Sequence, residues 1–259
     1  MFEIYRFNEL EILAFILLLV RISVFFAVWP VFGLNHVPHH TKILLSLLVA
    51  FILFPIIGWQ SLSKDIVSDL YILLIIKEAF IGVLIGYLAR GFFYSLEVCG
   101  HLMSDALGLS SAQILNPASD TRSTILEQFY IILVTLFFLT INGHHYFIQS
   151  LVKSYEIIPL ATVGLSLNPL AHFGEFAQDI MLIGLKFSAP VIASIFAMNI
   201  AMGIVGRAVP QMNVLITSLS VNILFGLFVM IFSMPMMLDS LPGVLNQTLE
   251  RLFLVLRAL

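Results

Sequence analysis

Residues 70–93 read LYILLIIKEAFIGVLIGYLARGFF, and this stretch decides the fold class. Its charged side chains are Lys77, Glu78 and Arg90, and nearly all of the others are apolar or glycine. About 20 consecutive apolar residues suffice for a helix to cross the hydrocarbon core of a bilayer. Because no water is present there to bond to backbone groups, such a segment satisfies them within a helix. The stretch therefore predicts a membrane helix.

The same pattern recurs along the whole chain. Of its 259 residues, 60% are apolar and 10% are charged, whereas a soluble domain carries about a quarter charged residues. The mean hydropathy is +1.06. We therefore predict an all-α, polytopic membrane protein that forms a single domain over residues 1–259. The apolar segments run over about 10–32, 43–59, 70–93, 124–141, 180–205 and 214–238.

Local signals predict where several helices begin or break. Thr41 is a predicted N-cap for the second segment, and Thr124 with Glu127 has the spacing of a capping box that opens the fourth. Pro190 and Pro235 lie inside apolar segments and are expected to kink or interrupt their helices. Lysines and arginines fall almost equally on the two sides of a six-span arrangement, so they give no orientation. Either the spans differ or the helices are not ordinary membrane crossings.

Four charges lie within apolar segments: Arg21, Lys77, Glu78 and Lys186. A charge at the centre of a lipid-exposed helix costs about 2.5–3.5 kcal/mol, so these side chains should face protein or water. Lys77 and Glu78 are neighbours in sequence and point about 100° apart on a helix, so each is expected to have a separate partner. Ion pairs within the chain, ion pairs with neighbouring subunits, and a proton or ion pathway all remain open from the sequence.

Small residues in the third segment favour close helix packing. Gly82 and Gly86 form a GxxxG pair, which lets two helix backbones approach each other. The segment that follows, 97–122, is weakly polar and rich in glycine, alanine and serine. It differs from every other part of the chain, and an ordinary connector between two helices is one interpretation of it.

The sequence offers little support for chemistry or nucleic-acid binding. Cys99 is the single cysteine, which excludes an internal disulfide and a cysteine-based metal centre. The twelve lysines and arginines form no basic run, so no nucleic-acid face is predicted. No phosphate-binding loop, dinucleotide fingerprint or protease motif is present. We expect no cofactor, no metal and no enzymatic activity.

Residues 199–214 carry the most specific pattern, NIAMGIVGRAVPQMNV. An apolar helix runs into Arg207 and then into Pro210-Gln211-Met212-Asn213. This resembles the signature of the FliR family of flagellar export proteins, which includes the equivalent subunit of virulence type III secretion systems. Positions spread over nearly the whole chain agree with the family in order and spacing. They are Arg21, Pro30 to Gly33, Pro38, Lys42, Glu78, Gly82, Gly86, Asn142 to His145, Ser154-Tyr155, Pro159 and Pro190.

The resemblance implies a function that composition alone does not supply. Family members join several copies of a P-type and a Q-type subunit (FliP and FliQ) in a closed helical ring, and a substrate-switch subunit (FlhB) wraps this core. The assembly is the inner-membrane gate of the flagellar basal body, through which unfolded flagellar proteins are exported. The helical hairpins of its subunits stand side by side, largely within the assembly, rather than as simple crossings.

The resemblance also implies roles for particular residues. In the family, a loop after the third apolar region projects into the pore and helps to plug it. Here that loop falls within 99–122, with about 106–116 at its centre, and its apolar side chains would exclude water and ions. The plug residues would be Leu107, Gly108, Leu109, Ser110, Ser111, Ala112, Gln113, Ile114 and Leu115. Structural or inter-subunit roles would fall to Arg21, Lys77, Glu78, Gly82, Gly86, Lys186, Arg207, Pro210, Gln211 and Asn213.

A second function remains open from the sequence. A small-solute transporter or channel that acts alone would have the same composition, with its binding site near Glu78 or Lys186. It would function in liposomes without partners, whereas an export-gate subunit would co-purify with two other small membrane proteins.

Overall fold

The computed structural model describes residues 9–30, 38–57, 64–110, 124–160 and 169–259. Within these ranges the chain forms seven α-helices, as the apolar composition predicts. They are α1 (Glu9–Val28), α2 (His39–Leu53), α3 (Lys64–Leu107), α4 (Ile125–Thr140), α5 (Gly143–Ile157), α6 (Pro169–Ala208) and α7 (Val214–Ala258).

Three of the helices are far longer than a membrane crossing requires. α3, α6 and α7 contain 44, 40 and 45 residues. At 1.5 Å per residue they extend over about 60–70 Å, roughly twice the hydrocarbon thickness of a bilayer. Among the described helices, four are long and apolar enough to span a membrane, or five if α4 and α5 together form one broken span. The expected polytopic, all-α membrane protein is confirmed, although the helices do not follow the six predicted segments.

The third helix extends well beyond the apolar segment that predicted it. α3 continues to Leu107, so Cys99 to Leu107 is helical, and the prediction of a loop beginning at residue 99 is wrong for these positions. Hydropathy misses this part because small and hydroxyl side chains, Ser95, Cys99, Gly100 and Ser104, occupy its buried face. Such residues lower the mean hydropathy while still packing closely against neighbouring helices.

The predicted helix starts are confirmed at one position and wrong at another. Thr124 and Glu127 form the predicted capping box: the Glu127 N–H donates to Thr124 Oγ1 at 3.3 Å, and the Thr124 N–H donates to Glu127 Oε2 at 3.1 Å. The Thr41 cap is wrong, because α2 begins at His39 with Pro38 at the N-cap position and Thr41 in the first turn. The Thr41 N–H already donates to the Pro38 carbonyl, so this residue is part of the helix.

The prolines do not interrupt their helices. Pro190 lies inside α6, and Pro235 and Pro242 lie inside α7. A helix in an apolar environment retains its remaining backbone bonds after proline removes one, because no water competes for them. Leu245, Leu249, Leu252 and Leu256, which recur at alternating spacings of four and three, are consequently part of α7 and not of a separate helix.

The helices form two compact units that alternate along the sequence. Unit 1 comprises Met1–Gly91, Asn142–Gly174 and Gln247–Leu259, and unit 2 comprises Phe92–Ile141 and Glu175–Asn246. Because α3, α6 and α7 each contribute to both units, no linker in the sequence marks the division.

Aromatic side chains pack in the core of each unit. In unit 1, the Trp29 ring lies 5.2 Å from that of Phe25 and 6.0 Å from that of Phe147, measured between ring centroids. In unit 2, the rings of Phe92 and Phe138 are 5.7 Å apart. All five side chains are fully buried, so each unit has an apolar core of its own.

Many large apolar side chains on the outer helix faces are exposed. On α7, Leu224, Phe232 and Met236 are 76%, 72% and 78% exposed, and on α6 Phe196 and Ile204 are exposed as well. Residues 232 and 236 are one turn apart and lie on the same helix face. A contiguous apolar surface of this kind requires lipid or another protein against it.

Candidate functional site

A buried charged cluster joins three helices of unit 1. The guanidinium of Arg21 on α1 is fully buried, and its Nε donates to Glu78 Oε2 on α3 at 2.5 Å. Its Nη1 donates to Ser154 Oγ on α5, and its Nη2 donates to the carbonyl of Ile158, both at 3.1 Å. The guanidinium also lies 4.1 Å from the ring centroid of Tyr155. We call these five residues the Arg21 cluster.

The Arg21 cluster decides among the alternatives that the sequence left open for two of the four charges in apolar segments. Arg21 and Glu78 form an ion pair within the chain, although 57 positions separate them. A buried arginine needs its donors satisfied, and here a carboxylate, a hydroxyl and a carbonyl accept from them. The cluster therefore holds α1, α3 and α5 together, and we expect it to stabilise the folded state of unit 1.

The other two charges, Lys77 and Lys186, differ in burial. Lys77 is buried next to Glu78 on α3. Lys186 on α6 is exposed and makes no ion pair with any residue in the described ranges. The charge of an exposed lysine in an apolar helix needs a partner carboxylate to compensate it or water to solvate it. Lys186 thus keeps its predicted inter-subunit role as an expectation.

The GxxxG pair brings α3 against α1. A Cβ atom on Gly82 would lie 2.6 Å from the carbonyl oxygen of Arg21, and one on Gly86 would lie 2.8 Å from Val28 Cβ. These contacts are shorter than any packed methyl group allows. The backbone of α3 therefore approaches α1 directly beside the Arg21 cluster, and only glycine permits the distance.

Substituting Gly86 by alanine should destabilise unit 1 by about 1–3 kcal/mol, because the added methyl overlaps Val28 and the helices must separate. Thermal unfolding of the protein in mild detergent measures this. Gly243→Ala is the matched control, since nothing lies within 4 Å of a Cβ there. It should leave the unfolding temperature unchanged or raise it slightly. Equal effects of the two substitutions would contradict the close approach of α1 and α3.

The motif at 207–213 forms the turn between α6 and α7. α6 ends at Ala208, two residues before Pro210, whose ring cannot continue the helix. Asn213 then caps α7: its Oδ1 accepts from the Ile216 N–H at 3.5 Å, and its carbonyl accepts from Thr217. Arg207, Pro210 and Gln211 are exposed. Pro210 and Asn213 thus lie at the end of α6 and the beginning of α7, and their structural or inter-subunit role stays a prediction.

Two amides hold the hairpin of α6 and α7 together at a distance from this turn. Asn222 Nδ2 on α7 donates to Asn199 Oδ1 on α6 at 2.8 Å. A Cβ on Gly206 would lie 2.6 Å from Val214 Cγ2, so the helices are already in contact at the turn. Residues 199 and 222 lie nearly equally far from the turn, and the two helices are therefore antiparallel neighbours. The pattern at 199–214 includes Asn199, but Asn222 was missed, although an asparagine in an uncharged apolar segment was a usable signal.

The predicted plug segment begins at a well-formed helix end. Gly108 has a φ of +79°, the Leu109 N–H donates to the Ser104 carbonyl, and the Gly108 N–H donates to the Asp105 carbonyl, each at 3.0 Å. These are the two bonds of a Schellman motif, which terminates a helix at a glycine. Leu107 is the last residue of α3 and is buried, while Leu109 and Ser110 are half-buried. Ser111, Ala112, Gln113, Ile114 and Leu115 lie outside the described residues.

Together these features define a class of protein. It is an all-helical membrane protein in which buried charges stabilise one helical unit. Its longest helices are longer than the hydrocarbon core of a bilayer is thick, and its exposed helix faces are apolar. The chain belongs to the family described as bacterial export proteins, family 1, whose model matches residues 12–248.

Several relatives resemble the chain over most of their length. The flagellar biosynthetic protein FliR of Bacillus subtilis is 31% identical over 241 residues, which cover 92% of each chain. The protein of the same name from Caulobacter vibrioides is 31% identical over 222 residues, covering 84% of this chain and 87% of the relative. That of Escherichia coli is 25% identical and covers 84% and 83%. The family predicted from residues 199–214 is thereby confirmed.

Proposed function

We propose that the chain is the R-type subunit of the flagellar export gate in the bacterial inner membrane. The observation that carries the proposal is its similarity to proteins named flagellar biosynthetic protein FliR, which extends over 92% of both chains for the Bacillus subtilis relative. In this role it is a structural subunit and performs no catalysis. It joins P-type and Q-type subunits (FliP and FliQ) in a ring that the substrate-switch subunit (FlhB) surrounds.

The dimensions of the helices support this role. Helices of 40–45 residues that are apolar along most of their length are too long for simple crossings. In a ring of homologous subunits, however, they would pack against neighbouring helices both within and above the bilayer. The exposed faces of α6 and α7 would then be buried by sister chains, and small or apolar side chains would form the contacts.

The second part of the proposal concerns the end of α3 and the segment after it. We infer that residues 106–116 face the pore and help to close it at rest, so that unfolded flagellar proteins pass only when the segment moves. Leu107 and Leu109 would contribute apolar contact to this seal, since a hydrophobic constriction excludes water and ions. Gly108 allows the chain to leave α3 at a sharp angle.

Co-purification tests the proposal. The affinity-tagged chain, expressed in cells that contain the whole export apparatus and extracted in a mild detergent, should retain two other small membrane proteins through gel filtration. A lone particle that moves a small solute in liposomes would instead establish the transporter alternative. The Lys186→Met and Arg207→Ala variants should weaken co-purification without unfolding the chain, because both side chains are exposed.

A further inference from the structure

The end of α3 packs against the hairpin of α6 and α7 within unit 2. Leu107, the last residue of α3, is fully buried. A Cβ atom on Gly226 of α7 would overlap Leu107 Cδ2 and would lie 3.1 Å from Leu107 Cγ. Gly226 therefore leaves a notch in the surface of α7, and the Leu107 side chain fills it.

A second contact holds the next residue of the chain. A Cβ on Gly108 would lie 2.7 Å from Leu219 Cδ1 on α7. Residues 219 and 226 are two helical turns apart and lie on the same face of α7. Gly108 is also where the Schellman motif turns the chain away from α3. We call Leu107, Gly108, Leu219 and Gly226 the α3 contact site.

The amide pair of the hairpin keeps this part of α7 in register with α6. Asn222 lies one turn before Gly226 on the same face of α7, and its Nδ2 donates to Asn199 Oδ1 at 2.8 Å. Ile195, one turn before Asn199 on α6, would have its Cδ1 3.1 Å from a Cβ on Gly226. Sliding α7 along α6 would break a hydrogen bond between two apolar helices, where no water replaces it. The notch at Gly226 therefore has a fixed position.

We propose that the hairpin of α6 and α7 positions the end of α3 and so sets the direction in which the chain leaves it, with Gly226 as the positioning residue. Protein interiors are as densely packed as organic crystals, so an added methyl group has no space to occupy. Alanine at position 226 would displace Leu107 from the notch, and the turn at Gly108 would move with it. The inference rests on the proposed plug role of residues 106–116 only for its effect on the channel, which it exerts through Leu107 and Leu109.

Thiol labelling in the assembled export complex measures the position of the chain end. In the parent protein for this test, Cys99→Ser removes the single native thiol and Leu109→Cys places a reporter at a half-buried position two residues after Leu107. Adding Gly226→Ala should raise the rate at which a maleimide modifies the reporter by about five- to thirtyfold. Overpacking of this size shifts the balance from the docked to the undocked chain end by such a factor.

Two variants separate the fit at the notch from a general loss of stability. Gly243→Ala makes the same substitution on α7 where nothing lies within 4 Å of the new Cβ, so the reporter should react as in the parent. Combining Gly226→Ala with Leu107→Val conserves the total volume and removes the Cδ2 atom that overlaps. The labelling rate should then return to within about threefold of the parent. A rate that Gly226→Ala leaves unchanged, or that Leu107→Val does not restore, would overturn the proposal.

A further variant keeps the test valid if Gly226→Ala prevents assembly. Leu219→Ala removes the contact with Gly108 without adding an atom, and it should also raise the labelling rate. An unchanged rate in Leu219→Ala would count against the α3 contact site.

Release of a trapped dye from liposomes that contain the complex reports separately on the channel. Gly226→Ala should leak faster than the wild type, and its combination with Leu107→Val should be as tight as the wild type. If the labelling rates change as expected while leakage stays constant in every variant, the α3 contact site is supported and the plug role fails.

Discussion

Replacing Arg21 by methionine should destabilise the chain by about 3–5 kcal/mol, because the substitution leaves Glu78 as an uncompensated charge in a fully buried site. The loss also removes the donors to Ser154 and to the carbonyl of Ile158, each of which then lies buried without its partner. Since the cluster supplies the ion pair and most of the polar contacts that join α1, α3 and α5, unit 1 should unfold first. Thermal unfolding in detergent, monitored by the loss of protease resistance, measures the effect.

A double substitution tests whether charge is the reason. Combining Arg21→Met with Glu78→Leu removes both charges, and buried pairs replaced by apolar residues are often tolerated. The double variant should therefore be more stable than Arg21→Met alone, though below the wild type, because Ser154 and Ile158 still lack their donor. Lys186→Met removes an exposed charge and should leave unfolding unchanged. If the double variant were as unstable as the single one, loss of the guanidinium's packing and hydrogen bonds would be the cause instead.

Deleting Gly108 to Ile114 should have the largest effect on function. We expect the export complex to assemble, because the helices on both sides of the deletion keep their cores, yet to leak ions at least about tenfold faster through the unsealed channel. Conductance of the complex in planar bilayers, or growth of cells in high salt, measures the leak. An assembled deletion complex that stays as tight as the wild type would reject the plug assignment.

Substitutions that preserve length refine this test. Changing Leu109, Ile114 and Leu115 to serine keeps the segment but removes its apolar contacts, and the complex should leak. Changing the same residues to methionine keeps an apolar, adaptable surface and should preserve the seal. Equal leakage from both triple variants would show that shape, and not apolar character, closes the channel.

Features that depend on local or average properties were predicted best from the sequence. Helical membrane architecture follows from composition, because long apolar segments in lipid must satisfy their backbone groups internally. The capping box at Thr124 and Glu127 is equally local, since its partners lie three residues apart. The family followed from residues 199–214, in which Pro210 and Asn213 have distinct physical tasks at one turn.

Features that depend on distant contacts could not be predicted in the same way. The apolar surroundings of Arg21 in the sequence predict that its charge is compensated. They do not indicate whether the partner is Glu78, 57 positions away, or a charge on another subunit. Nothing local connects Arg21 with Ser154 or Ile158 either, 133 and 137 positions away. The C-terminal part of α3 is not predicted as a helix because small residues such as Gly100 and Ser104 share its buried face with Met103 and Leu107, which lowers the mean hydropathy of this part.

Photo-crosslinking tests most directly whether the exposed apolar faces of α6 and α7 pack against sister subunits. A photoreactive amino acid replaces Phe232 or Met236, which are 72% and 78% exposed on one face of α7, in cells that express the whole export apparatus. A third position, Leu241, is fully buried on the same helix and provides the control. We expect the two exposed positions to crosslink to small membrane proteins of the apparatus and the buried position to crosslink only within the chain. Adducts with lipid alone at both exposed positions would contradict the account.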